Sequence, residues 1–171
     1  MQKKTNHSNQ ALIIVHLSSL DIYTSGIGQG AGRSMAKRLS AAARNHNGPI
    51  IVIDQLWELE GRASDPRVSV YEAIQNIPNE KLVLIRHDED DSPTAWTDLF
   101  DELVPVLNEL GVDSVKIAGF WYDPKRDTGC AWYVGQQLSD SFDVTYARTI
   151  LGSYEDVWGP DDEDWDDAPW A

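Results

Sequence analysis

The chain is short of cysteine, with one in 171 residues, and short of positive charge, with 14 Lys and Arg against 28 Asp and Glu. A single cysteine excludes an internal disulfide and any zinc site built on paired thiolates. A net charge of −14 argues against broad phosphate-backbone binding, which is made from Lys and Arg, so no nucleic-acid partner is expected. No apolar run reaches bilayer-spanning length, and "MQKKTNHSNQ" lacks the apolar centre of a secretion signal. The expectations are no membrane contact and a cytoplasmic location. Positive charge is missing altogether from residues 154–171, "YEDVWGPDDEDWDDAPWA", which hold eight of the 28 acids. Without that segment the net charge is −6, ordinary for a soluble domain.

What is present is enough apolar residue, 42% of the chain, for one core. "ALIIVHL" (11–17) and "PIIVID" (49–54) are nearly continuous apolar runs, as in strands buried on both faces of a parallel sheet. "KLVLIRH" (81–87), "DSVKIAG" (113–119) and "FDVTYARTI" (142–150) supply three more strands. Between them lie helical patterns. "SMAKRLSAAARNHNG" has Ser34 as an N-cap, Met35, Leu39 and Ala42 on one face, and Gly48 as a stop. "SVYEAIQN" carries Ser69 and Glu72 at capping-box spacing. "TDLFDELVPVLNELG" continues a stripe of Trp96, Leu99, Phe100, Leu103, Leu107 and Leu110, with a bend expected at Pro105. "TGCAWYVGQQLSD" is a further helix. Alternating strands and helices imply an α/β fold, a three-layer α/β/α sandwich with a mainly parallel sheet. Residues 1–10 are expected to be flexible, 11–153 to form the domain and 154–171 an acidic tail.

"SGIGQGAGRSMAKRL" (25–39) invites a nucleotide-binding reading, and the spacing refuses it. A phosphate-binding G-x-x-x-x-G-K-[ST] loop ending at Gly32-Arg33-Ser34 would need glycine at Ile27 and lysine at Arg33. The dinucleotide pattern from Gly26 and Gly28 meets Ala31 at its third position, and the preceding strand ends near Leu17, well before the loop. The stretch therefore reads as a flexible connection, with no cofactor.

Ligands of open parallel sheets bind beyond the carboxyl ends of the strands. Those ends deliver His16, Asp54, Arg86 and His87, while the fourth leads to Cys130 at a helix start, where the helix dipole favours a thiolate. Cys130 as nucleophile, a histidine moving protons and Arg86 holding an anion would make a catalytic set. Asp54, Trp96 and Trp121 flank these positions as substrate-binding candidates. A second reading stands beside this one: Cys130 as a packing residue, His16 as a hydrogen-bonded core histidine and Asp54 as a loop-capping acid. "HDEDD" (87–91) reads as a solvated acidic loop, so no metal is expected.

The order of these segments resembles the isochorismatase-like hydrolases, the cysteine hydrolase superfamily. "ALIIVHLSSLD" is similar to that family's opening strand, "RLSAAARNHNGPIIVID" to its first helix and second strand, and "SPTAWTDLFDELVPVLNELGVDSVKIAG" to its stretch with a Ser/Ala-Phe-type turn, a T-x-L helix and a Gly-ended strand. "GCAWYVGQQLSDSFDVTYARTI" is similar to its nucleophile helix and following strand, so that the likeness covers about residues 11–150. The resemblance implies a catalytic Asp, Lys and Cys. Carried over by position, His16 stands at the Asp site, Arg86 or His87 at the Lys site, and Cys130 at the nucleophile; Ser18 replaces a usual glutamine. The segment from Gly119 to Cys130 is longer than the family's, and the acidic tail takes the place of a sixth strand. Two functions follow from the resemblance: a divergent cysteine-dependent hydrolase of a small amide or ester, or a non-catalytic relative that binds other molecules through its rim and tail. A homo-oligomer is also expected. Trp158, Trp165 and Trp170, spaced through acids, suit a protein partner's basic, apolar groove or a return onto the domain.

Overall fold

The computed structural model describes residues 9–54, 79–87, 93–123 and 125–158. Its strands are β1 (Gln10–Val15), β2 (Ile50–Asp54), β3 (Leu82–Arg86), β4 (Ser114–Phe120) and β5 (Asp143–Gly152). All pair in parallel, in the order β3-β2-β1-β4-β5. Parallel strands buried on both faces need apolar side chains in both directions, which is why β1 and β2 are unbroken apolar runs. Leu12, Ile14, Ile50 and Val52 point to one helical layer, and Ala11, Ile13, Val15, Ile51 and Ile53 to the other. At the β5 edge the first half alternates, with Asp143 and Thr145 exposed and Val144 and Tyr146 half-buried, as one covered face requires.

The first layer holds α1 (Leu20–Ile27) and α2 (Gln29–Asn45); the second holds α3 (Pro93–Glu109) and α4 (Cys130–Leu138). Leu99, Leu103 and Leu107 seat α3, and Ala131, Val134 and Leu138 seat α4, each at helical spacing. Connections after β1 thus cover one face and those after β3 and β4 the other. The change of side falls between β1 and β4, the switch point at which open α/β sheets leave a crevice.

Three expectations change. The glycine-rich stretch is helical rather than a flexible connection: α1 and α2 run through it, broken only at Gly28 (φ 94°). Ser34 lies inside α2 and is not its N-cap. Packing explains both. Tyr23, Met35, Ala36 and Leu39 are anchored in one core, and a Cβ on Gly26 would collide with the Val157 side chain, so this glycine serves close approach. The fold also continues past residue 153. Helix α5 (Tyr154–Trp158) opens with a reciprocal cap in which Ser153 N–H donates to Asp156 Oδ2 (3.2 Å) and Asp156 N–H to Ser153 Oγ (3.3 Å). Tyr154 and Val157 pack on the α1–α2 core, and Tyr23 Oη donates to Asp156 Oδ2 at 3.1 Å. The helix at "SVYEAIQN", the acidic run after His87, Trp165 and Trp170 lie outside the described residues. No helix among the described residues is long and apolar enough to cross a membrane.

Candidate functional site

Immediately after β1 the chain turns sharply at His16, which adopts the left-handed conformation (φ 47°, ψ 55°) ahead of a single 3-10 turn, Leu17–Ser19. Asp54, at the end of β2, holds that turn. Its Oδ2 accepts from Ser18 N–H and its Oδ1 from Ser18 Oγ–H, each at 2.7 Å, and the carboxylate is almost wholly buried. His16 is pinned on both sides, its N–H donating to Ile53 O (2.8 Å) and its carbonyl accepting from Ser19 N–H (2.9 Å). Asp54 therefore acts on His16 through Ser18, and both of its oxygens are engaged by the turn. Asp54→Ala is expected to cost about 2 kcal/mol, from two buried hydrogen bonds to a charged acceptor, read as a lower urea midpoint. Asp54→Asn, which keeps one acceptor, should recover about half of that loss.

His87, just past β3, is placed by its N–H donating to Asp54 O at 3.0 Å. Its ring stacks on that of His16, centroids 5.6 Å apart and planes 24° from parallel. The ring of Trp96 in α3 lies 4.3 Å from that of His87, tilted by 45°. Trp96 in turn meets Tyr133 of α4 edge-on at 4.8 Å. The chain of rings leads from the switch point to the first turns of α4, the helix that Cys130 opens. Both histidines are buried, at 6% and 2% exposure, and His16 Nε2 has no hydrogen-bond partner. Burial first, and the His87 charge second, push the His16 imidazole down to about 4, so it is neutral at pH 7. Burial thus makes the ring a weak proton acceptor.

The segment before Cys130 does not carry it away from the sheet. Asp123 and Thr128 close a small antiparallel bridge, exchanging N–H···O bonds of 3.1 and 3.2 Å. Asp123 is buried, and its Oδ1 accepts from the N–H groups of Lys125 and Arg126. The excursion is thus tied off at its base, and Ala131 N–H donates to Trp121 O at 2.9 Å, fastening the start of α4 to the end of β4. Gly129 (φ 98°) makes the approach possible, because a Cβ there would overlap the Trp121 carbonyl. Cys130 follows, half-buried against the α3–α4 core. Asp123 and Gly129 went unread in the sequence, although an Asp-Pro start and a Thr-Gly finish are the marks of a tied turn.

No family model, curated protein or solved structure matches this chain.

The structure gathers His16, His87, Trp96 and the start of α4 on one side of the sheet's carboxyl edge, and it sends three other candidates elsewhere. Arg86 is the register partner of Asp54, so it faces the α1–α2 side and is exposed there. The Trp121 ring is buried in the α1–α2 core, stacked on Tyr154 at 4.7 Å and 13°, which leaves only its carbonyl for the site. Asp54 braces the turn from below. Trp158 closes α5. Among the described residues no group of three or more His, Cys, Asp or Glu side chains is arranged to hold a metal ion.

Proposed function

We propose that this chain is a divergent isochorismatase-like cysteine hydrolase acting on a small amide or ester. The observation that carries this reading is the His16–His87 stack at the switch point, joined through Trp96 and Tyr133 to the helix that Cys130 opens. His16 and His87 take the positions of the family's Asp and Lys. Arg86 is not given the second position, because its strand register turns it to the other face of the sheet.

In the proposed reaction the Cys130 thiol passes its proton to an imidazole of the pair, and Sγ attacks the substrate's carbonyl carbon. The α4 N-terminus favours the thiolate and the oxyanion of the tetrahedral adduct. Collapse of that adduct breaks the C–N or C–O bond, and the imidazolium returns its proton to the departing amine or alcohol. Water, deprotonated by the same imidazole, then attacks the thioester and releases the carboxylic acid and the free thiol.

The test is thiol reactivity coupled to turnover. Iodoacetamide should label Cys130 in the folded protein with a pH midpoint below the free-thiol value of about 8.5. Cys130→Ala should reduce hydrolysis of a panel of small aryl esters and anilides by about a thousandfold or more. Labelling only after denaturation, together with unchanged ester hydrolysis in Cys130→Ala, would leave the non-catalytic relative as the reading.

A further inference from the structure

Trp121, the residue after β4, serves both layers of the sandwich. Its ring is buried in the α1–α2 core. Its carbonyl reaches the other layer, where it accepts from Ala131 N–H at 2.9 Å. Ala131 is the second residue of α4, and an amide in the first turn of a helix has no acceptor within that helix. A side chain at the N-cap usually supplies one. The N-cap here is Gly129, which has none to offer, and the Trp121 carbonyl takes that part. The direction of this carbonyl therefore fixes where α4 starts, and Cys130 is the first residue of α4.

Trp121 lies beyond the last ladder pair of β4, so its backbone is placed by its neighbour and by its ring. The neighbour is fixed, because Tyr122 N–H donates to Gly152 O at 3.0 Å. The ring is seated against Tyr154 of α5, with centroids 4.7 Å apart and planes 13° from parallel. Phe120 and Tyr23 meet it at steeper angles, 68° and 49°. Tyr154 is itself held by the ties of its short helix. Asp156 accepts from Tyr23, Val157 packs at Gly26, and Glu155 Oε2 lies 3.2 Å from Lys125 Nζ. The last tie joins α5 to the excursion that precedes Cys130.

On the reading of Cys130 as the nucleophile, on which this rests, we propose that Tyr154 is a positioning residue for Cys130. Its ring holds Trp121 on one side of the sheet, and the Trp121 carbonyl sets the start of α4 on the other. A C-terminal turn on the α1–α2 face thereby governs the placement of a thiol on the α3–α4 face. Placement matters because a misplacement of about 1 Å can cost about a hundredfold in rate.

Tyr154→Leu tests this, since leucine fills the seat without a flat ring. Amide hydrogen exchange at Ala131 should speed up about tenfold, while Leu103 of α3 exchanges as in the parent. The pH midpoint for iodoacetamide labelling of Cys130 should rise by about half a pH unit toward the free-thiol value. For the aryl esters kcat should fall about tenfold with KM held within about twofold, as for a contact that matters only in the transition state. Tyr154→Phe, which keeps the stacked ring, should restore all of these. Should leucine prevent folding, Tyr154→Met is read in the same way. Labelling of the parent only after denaturation would remove the hydrolase reading, and exchange at Ala131 would then decide the coupling alone. Three results would overturn the proposal: parent-like exchange at Ala131, exchange raised as much at Leu103 as at Ala131, or a parent-like kcat and labelling midpoint in Tyr154→Leu.

Discussion

Gly119→Ala is expected to lower the urea midpoint steeply, through a loss of about 4–5 kcal/mol of stability at 25 °C. Gly119 sits in β4 with φ 100°, a conformation that strains any residue with a Cβ. That Cβ would also fall on the Val15 carbonyl and come within 2.7 Å of the Val15 nitrogen. Nothing there can yield, because Val15 belongs to β1, which is paired on both sides in the middle of the sheet. Strain and overlap together should cost about 4–5 kcal/mol, a large share of the roughly 5–15 kcal/mol that holds a domain together. The urea midpoint followed by far-UV circular dichroism measures it, and a midpoint equal to that of the parent would show the sheet to be more pliable than this packing allows. Gly30→Ala is the matched control. Its Cβ enters open space within α2, so stability should hold or rise by up to about 1 kcal/mol.

Lowering the pH from 6.5 to 4.5 is expected to remove most of about 3 kcal/mol of stability through His16 alone. The folded-state value near 4 lies below the 6.5 of the unfolded chain. In between, the unfolded chain binds a proton that the folded protein does not, so stability is full above pH 6.5 and falls as acid is added. Below about 4 both states are protonated and this contribution stops changing. His16→Asn isolates the effect, because asparagine tolerates the left-handed backbone at this position and carries no charge. The variant's melting temperature should vary much less with pH over this window than the parent's. An unchanged slope would assign the acid sensitivity to other groups.

The five strands could be read in the sequence because burial on both faces leaves an apolar run with little else in it, as in "ALIIVHL". The leucines of α3 were legible for the same kind of reason. Strand order was not, since it depends on which crossovers cover which face. The strand ends placed His16 and His87 on one rim, whereas the stacking of their rings arises only when β1, β2 and β3 line up side by side. Asp54 was readable both as a ligand contact and as a loop-capping acid. Its bonds to Ser18 fit the second, and only the identity of that partner was hidden, since it depends on a contact between turns. The glycines of α1 and α2 misled because helix propensity is a weak preference that packing overrides. At α5 the Ser153–Asp156 cap was written in the sequence and was obscured by the density of acids after it.

The bridge between Asp123 and Thr128 separates two lengths that are usually coupled. The path from β4 to α4 is set by the bridge and by the bond from Ala131 to Trp121, whatever the chain does between them. Closing a longer loop over a fixed base is cheap, about 0.6 kcal/mol for each doubling. Residues 125–127 are exposed at the tip of that excursion. They form a port where extra chain, such as an epitope or a reporter peptide, can be carried while Cys130 keeps its place at the sheet.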